Sequence, residues 1–220
     1  MRRHRSRALL SLLALCWALV LVPSAAFAQA ASAGEIDRLT NMIVKIMPMG
    51  AIFEEVAKSD PAWPMQDKPG AVTPEQLACM RSELSMEGYR RGKRTEVEAY
   101  ATAHASRLTS DLALLENGAA DLLGRLVMAG VEAEKTGIEV DSNAVMKSAT
   151  AEQLLSFMTF FSDPKYAELR NVSGLGNAMG LTKSAEENEA VGKQLGSSLA
   201  VQQMVKSMGT CEVPPSVIFE

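Results

Sequence analysis

A fourfold recurrence of the pattern Ser/Thr-x-x-Glu/Gln most narrows the folds open to this chain. Ser32 with Glu35, Thr73 with Gln76, Thr150 with Gln153 and Ser184 with Glu187 all precede apolar residues at helical spacing. In this arrangement the hydroxyl accepts from the backbone N–H three residues on. The Glu or Gln side chain returns to the first residue's own N–H, so two donors that a helix start leaves bare are satisfied. Pro74 reinforces the second start, because its fixed φ suits the first helical turn. Behind the caps, apolar residues recur at steps of three and four. Ile36, Leu39, Ile43, Ile46, Gly50 and Phe53 follow the first cap, and Leu77, Met80 and Leu84 the second. Val97, Tyr100, His104, Leu108, Leu112 and Leu115, then Leu122, Leu126 and Val127, carry the spacing through the middle of the chain. Val191, Leu195, Leu199, Val205 and Met208 carry it after the fourth cap. Strand-like alternation is nearly absent. The expected fold is all-α, a helical bundle of about six to seven helices in one domain over 29–220.

Breakers divide the pattern. Pro48 predicts a kink or break near Met47. Pro61, Pro64, Pro69 and Gly70 make 59–73 a loop, with Trp63 expected to pin it to the body. Gly88 and Gly92 predict a bend or pause around "YRRGKR", Tyr89 to Arg94. Gly137 reads as a helix stop, followed by a connection to a brief helix from Ser142. Asp163-Pro164 ends one helix and starts another. The tail 212–220 is expected to be extended, with Val217, Ile218 and Phe219 either packed or forming a contact surface.

Residues 1–28 read as an export leader. Arg2, Arg3, Arg5 and Arg7 precede an apolar run from Ala8 to Val22, Pro23 and Ser24 break it, and Ala26-Phe27-Ala28 offers small-x-small cleavage after Ala28. The run is short for a membrane span. The positions after Arg2-Arg3 favour the general secretory route over a twin-arginine one, and Leu15 before Cys16 disfavours lipid attachment. The expected location is therefore periplasmic or secreted. Four of the 22 basic residues and none of the 26 acids lie in this leader, so the remainder is decidedly acidic. That balance argues against nucleic acid and anionic membrane as partners and favours another envelope protein. No cofactor is called for. Cys79 and Cys211 are the two cysteines beyond the leader, and in an oxidising compartment such a pair reads as a disulfide, with two free buried thiols as the alternative.

"TAEQLLSFMTFFSDPKYAEL", Thr150 to Leu169, is the richest aromatic stretch. On a helical wheel Leu154, Phe157, Met158 and Phe161 share one face, flanked by Leu155 and Phe160, with Glu152, Ser156 and Thr159 opposite. Glu152, Asp163 and the short run exclude a membrane span. An apolar arc this wide reads as a central core helix, with Tyr166 joining the core. A lipid or peptide pocket lined by the same rings is the sharper alternative. Thr150, Leu154, Phe157, Phe161, Ser162, Pro164 and Tyr166 also resemble the signature of a family of small exported bacterial helical proteins of unknown function. That family usually has a glycine shortly after the proline, where this chain has Tyr166-Ala167. The resemblance implies a helical, envelope-located protein and brings no catalytic residues.

Catalytic signals are thin. His104, the only histidine beyond the leader, lies on the stripe of Tyr100 and Leu108 and reads as a partly buried structural histidine. A hydrolase would need it to work with Ser106 or Asp111, and no serine sits in a nucleophile elbow. One histidine and a paired cysteine set cannot ligate zinc. Met47-Pro48-Met49 is the nearest approach to a cuprous-copper motif, although the methionines fall mostly at core spacing. Arg90, Arg91, Lys93 and Arg94 form the one basic cluster, a solvated helix face or a surface for an acidic partner. The expected function is a non-catalytic interaction or ligand-holding module in the bacterial envelope. An immunity partner of an envelope-acting toxin is one form of it. The alternatives are an envelope hydrolase using His104 and a Met-rich copper protein.

Overall fold

The computed structural model describes residues 31–68, 70–138, 142–176 and 183–219. Residues 1–28, expected to be an export leader, and residues 139–141 fall outside them. The architecture is all-α, with no strand among the described residues. In chain order the helices are α1 (Ala33–Ile46), α2 (Met49–Ser59), α3 (Pro74–Leu84), α4 (Met86–Ala103) and α5 (Leu108–Leu114). After a π turn at Leu115–Ala119 come α6 (Ala120–Thr136), α7 (Ser142–Lys147), α8 (Ala151–Ser162), α9 (Ala167–Ser173), α10 (Ala185–Thr210) and a last turn, α11 (Ser216–Phe219).

All four capping boxes form, at the starts of α1, α3, α8 and α10. The breakers act as their chemistry requires. Pro48 separates α1 from α2, Gly137 closes α6 in the left-handed region at φ 69°, and Asp163 caps the short turn that Pro164 opens. The helix α4, by contrast, runs unbroken through Gly88 and Gly92. The pause sits earlier, at Ser85, whose extended backbone ends α3 and whose hydroxyl accepts from Gly88 N–H to start α4. The tail is likewise not extended: Ser216–Phe219 makes one helical turn, and Val213 is buried.

The central element is α1, not the aromatic stretch. Leu39, Ile43 and Ile46 are fully buried, and α4, α5, α6 and α9 pack around them. Helix α8 lies at the periphery with an orientation the wheel did not predict. Ser156 and Phe160 are its buried residues, while Leu155 is 67 % and Met158 52 % exposed. The cause is the π turn. Gly118 there takes φ 112°, a conformation that side chains resist, and a Cβ on it would collide with Gln153. The turn therefore presses against the polar side of α8, where Gln153 donates to Asp121 at 3.2 Å and Ser156 is small enough to be covered. Leu154, Phe157 and Phe161 are left half-buried at the edge, with Phe157 and Phe161 packed on the core, and Tyr166 is buried as expected.

A second, smaller cluster joins Met65, Met80, Met208, Cys211 and Val213. Cys79 and Cys211 form a disulfide within it, tying α3 to the end of α10 across a sequence separation of 132.

Candidate functional site

An apolar concavity lies beside this second cluster. The loop after α2 supplies one wall through Trp63, Pro64 and Met65, backed by Phe53; α10 supplies the other through Val201, Met204 and Val205, and Val217 closes one end. The cleft encloses about 320 Å³. Its floor is buried, with the Phe53 and Trp63 rings 5.6 Å apart.

Both walls are held from behind. Arg81 on α3 donates to the carbonyl oxygens of Asp60, Pro61 and Trp63, so one guanidinium fixes the loop. Asp60 adds a turn bond by accepting from Ala62 N–H at 2.8 Å. On the other side the disulfide holds the end of α10 against α3, and Gln76 donates to the Glu212 carbonyl at 2.9 Å. A groove braced this way is preformed, which lowers the ordering cost of anything that binds there. Val201 and Val205 are nonetheless 52 % and 40 % exposed. Asp67 and Lys68 provide charge at the rim.

The sequence signal for this site is weak but present. Val201, Met204 and Val205 share one side of α10 with Met208, about half a turn from Leu195 and Leu199, so Val205 and Met208 part from the face that the sequence spacing gave them. Of the expected contact surface in the tail, Val217 lines the groove; the side chains of Ile218 and Phe219 lie outside the described residues.

The basic cluster lines a different part of the molecule. Arg90 and Arg94 pair with Asp37 of α1, Arg94 also with Glu98, Arg91 with Glu83, and Lys93 with Glu96. Arg90 and Arg94 therefore tie α4 to α1 and Arg91 ties it to α3, whereas the Lys93–Glu96 and Arg94–Glu98 pairs lie within α4. Lys93 is 5 % exposed.

His104 ends α4 and packs its ring at a tilt of 44° against Tyr100, with ring centroids 4.6 Å apart. Asp111, which a hydrolase would need, is engaged elsewhere. The Tyr100 hydroxyl donates to its Oδ2 at 2.5 Å, and Arg107 donates to the Tyr100 oxygen at 3.0 Å. Burial, then the Asp111 carboxylate, push the Tyr100 phenol well above its ordinary range, so it stays a donor. No serine hydroxyl bonds to His104 among the described residues. Met47 and Met49 are buried in the main core, and Met65, Met80 and Met208 surround the disulfide. Among the described residues no group of three or more His, Cys, Asp or Glu is placed to hold a metal ion. No helix among them is long and apolar enough to cross a membrane.

No protein-family model, no curated protein and no solved structure matches the chain.

Proposed function

We propose that the protein is an exported, non-catalytic helical module of the bacterial envelope that holds an apolar segment of a partner protein in the groove between the 60–68 loop and α10. The observation that carries this reading is the exposure of Val201 and Val205 on the wall facing the buried Trp63 and Phe53. Apolar side chains facing a braced concavity gain most when a partner excludes water from them. At about 320 Å³ the groove is at the low end of the range for small-ligand pockets, roughly 300–1,000 Å³, and suits a few anchoring side chains better than a large cofactor. The acidic balance beyond the leader favours a basic partner through long-range attraction, as an inhibitor of an envelope-acting toxin would require. The resemblance over Thr150 to Tyr166 supports the same location.

The test is photo-crosslinking in cells from a reactive residue at Val201. The expected result is a discrete adduct in the envelope fraction, abolished by Val205→Glu, on a chain whose N-terminus begins after Ala28. A chain retained in the cytoplasm, or crosslinking indifferent to Val205→Glu, would defeat the reading. Trp63, the only tryptophan beyond the leader, gives a second readout, because its emission should shift when purified partner fills the groove.

A further inference from the structure

Helix α10 is held firmly at one end only. Its second half is anchored: Met208 is fully buried, Ser207 and Cys211 nearly so, and the disulfide to Cys79 fastens the end. The first half, 185–198, has little of this. Among its described residues Leu195 alone joins the main core, and it is only half-buried. Lys193 reaches Glu134 of α6 at 3.4 Å, but both side chains are largely exposed, and an ion pair in that setting adds little. We propose that 185–198 is a hinged strap, which unwinds from the body while 203–211 stays in place.

The residues of this half weaken the helix just where it leaves its anchor. Gly192 and Gly196 lie about one turn apart, and a Cβ on either would meet nothing within 4 Å. No close neighbour therefore requires them to be small, unlike Gly50 and Gly124, which face the backbones of Met86 and Lys45 directly. Each of the two lowers helix formation about fivefold relative to alanine. Ser197 and Ser198 follow, both exposed, and serine hydroxyls compete for the backbone groups that a helix must pair. A helix segment with few buried contacts and weak propensity opens locally, well below the cost of global unfolding.

The body leaves room for the movement. A cleft of about 350 Å³ lies between α4, the turn after α9 and α10, with Leu175, Leu195 and Leu199 along it. Unwinding as far as Ser198 removes Leu195 from this cleft and uncovers Leu175 and Leu199. These sit beside Ala200, which lines the apolar groove on the other flank of the helix. The open strap thus lets the groove accept a longer apolar segment than about 320 Å³ admits. This consequence rests on the groove reading above; the opening itself does not.

Amide hydrogen exchange on the purified chain, with no partner present, tests the opening. Amides of 189–198 should exchange at least about tenfold faster than those of 203–208. Gly192→Ala with Gly196→Ala should slow the first set about twenty-fivefold and leave the second unchanged. Equal protection along α10, or a double variant that slows both sets alike or neither, would overturn the proposal. Crosslinking from Val201 reads the consequence, since the double alanine variant should lower the adduct yield. An unchanged yield would overturn the strap's part in binding. Absence of any adduct from the parent chain would instead remove the groove reading and leave the exchange contrast standing.

Discussion

Replacing Cys79 and Cys211 by alanine frees two residues separated by 132 positions, the longest-range covalent constraint in the molecule. In the chain-entropy account, closing a loop of that length removes about 5 kcal/mol of unfolded-state entropy at 25 °C. With a urea dependence of about 2 kcal/mol/M, the unfolding midpoint should fall by about 2.5 M. The structure adds a regional expectation. The small cluster of Met65, Met80, Met208 and Val213 is built around this bond, whereas Ile43 and Val97 belong to the main core. Amide exchange should therefore accelerate first at Cys211 and Val213, whose N–H groups bond to the Ser207 and Met208 carbonyls. Urea melts followed by helical dichroism, with hydrogen exchange on the same variant, measure both. A midpoint shift below about 0.5 M, or uniform loss of protection across both clusters, would refute the assignment of the bond as the fastener of the C-terminal end.

Gly118→Ala forces a side chain into the positive-φ turn and against Gln153, and should cost about 2–4 kcal/mol in chemical denaturation. Gly130→Ala, in the exposed middle of α6 with open space around it, should instead stabilise by about 0.5–1 kcal/mol. Tyr100→Phe removes the donor to the buried Asp111 carboxylate and should cost about 1–3 kcal/mol, whereas His104→Ala, which breaks no hydrogen bond, should cost less than Tyr100→Phe. Lys45, through its hydrogen bond, holds the Asp121 carboxyl below its ordinary value of 3.8. Its contribution is thus complete above about pH 4 and lost as pH falls through the lowered value, so the stability gap between the parent and Asp121→Asn should close only in acid.

How much was legible can be judged on particular residues. Ser32, Thr73, Thr150 and Ser184 announce their helices because a cap is satisfied within three residues, with no help from the rest of the chain. The disulfide was legible because Cys79 and Cys211 are the two cysteines outside the first 28 residues. Ser156 shows the limit. A wheel weighs side chains by hydrophobicity, but contact between α8 and the π turn depends on how closely two backbones approach, and small or hydrogen-bonded residues permit the closest approach. The candidate groove was fainter still, since Phe53, Trp63, Val201 and Val217 meet only after the chain has returned from α10. The basic cluster was visible, yet its pairing with Asp37 was not, because that carboxylate comes from a helix more than fifty residues earlier in the chain.

The amino-acid sequence alone determined where the four capped helices begin and which two sulfurs join, since those outcomes rest on nearest-neighbour hydrogen bonding and on the absence of rival partners. Tertiary structure alone decided that α1 is the centre, which side of α8 turns inward, and that α10 forms one wall of an apolar groove. Those features follow from many weak contacts between distant segments, whose combined balance no local pattern encodes.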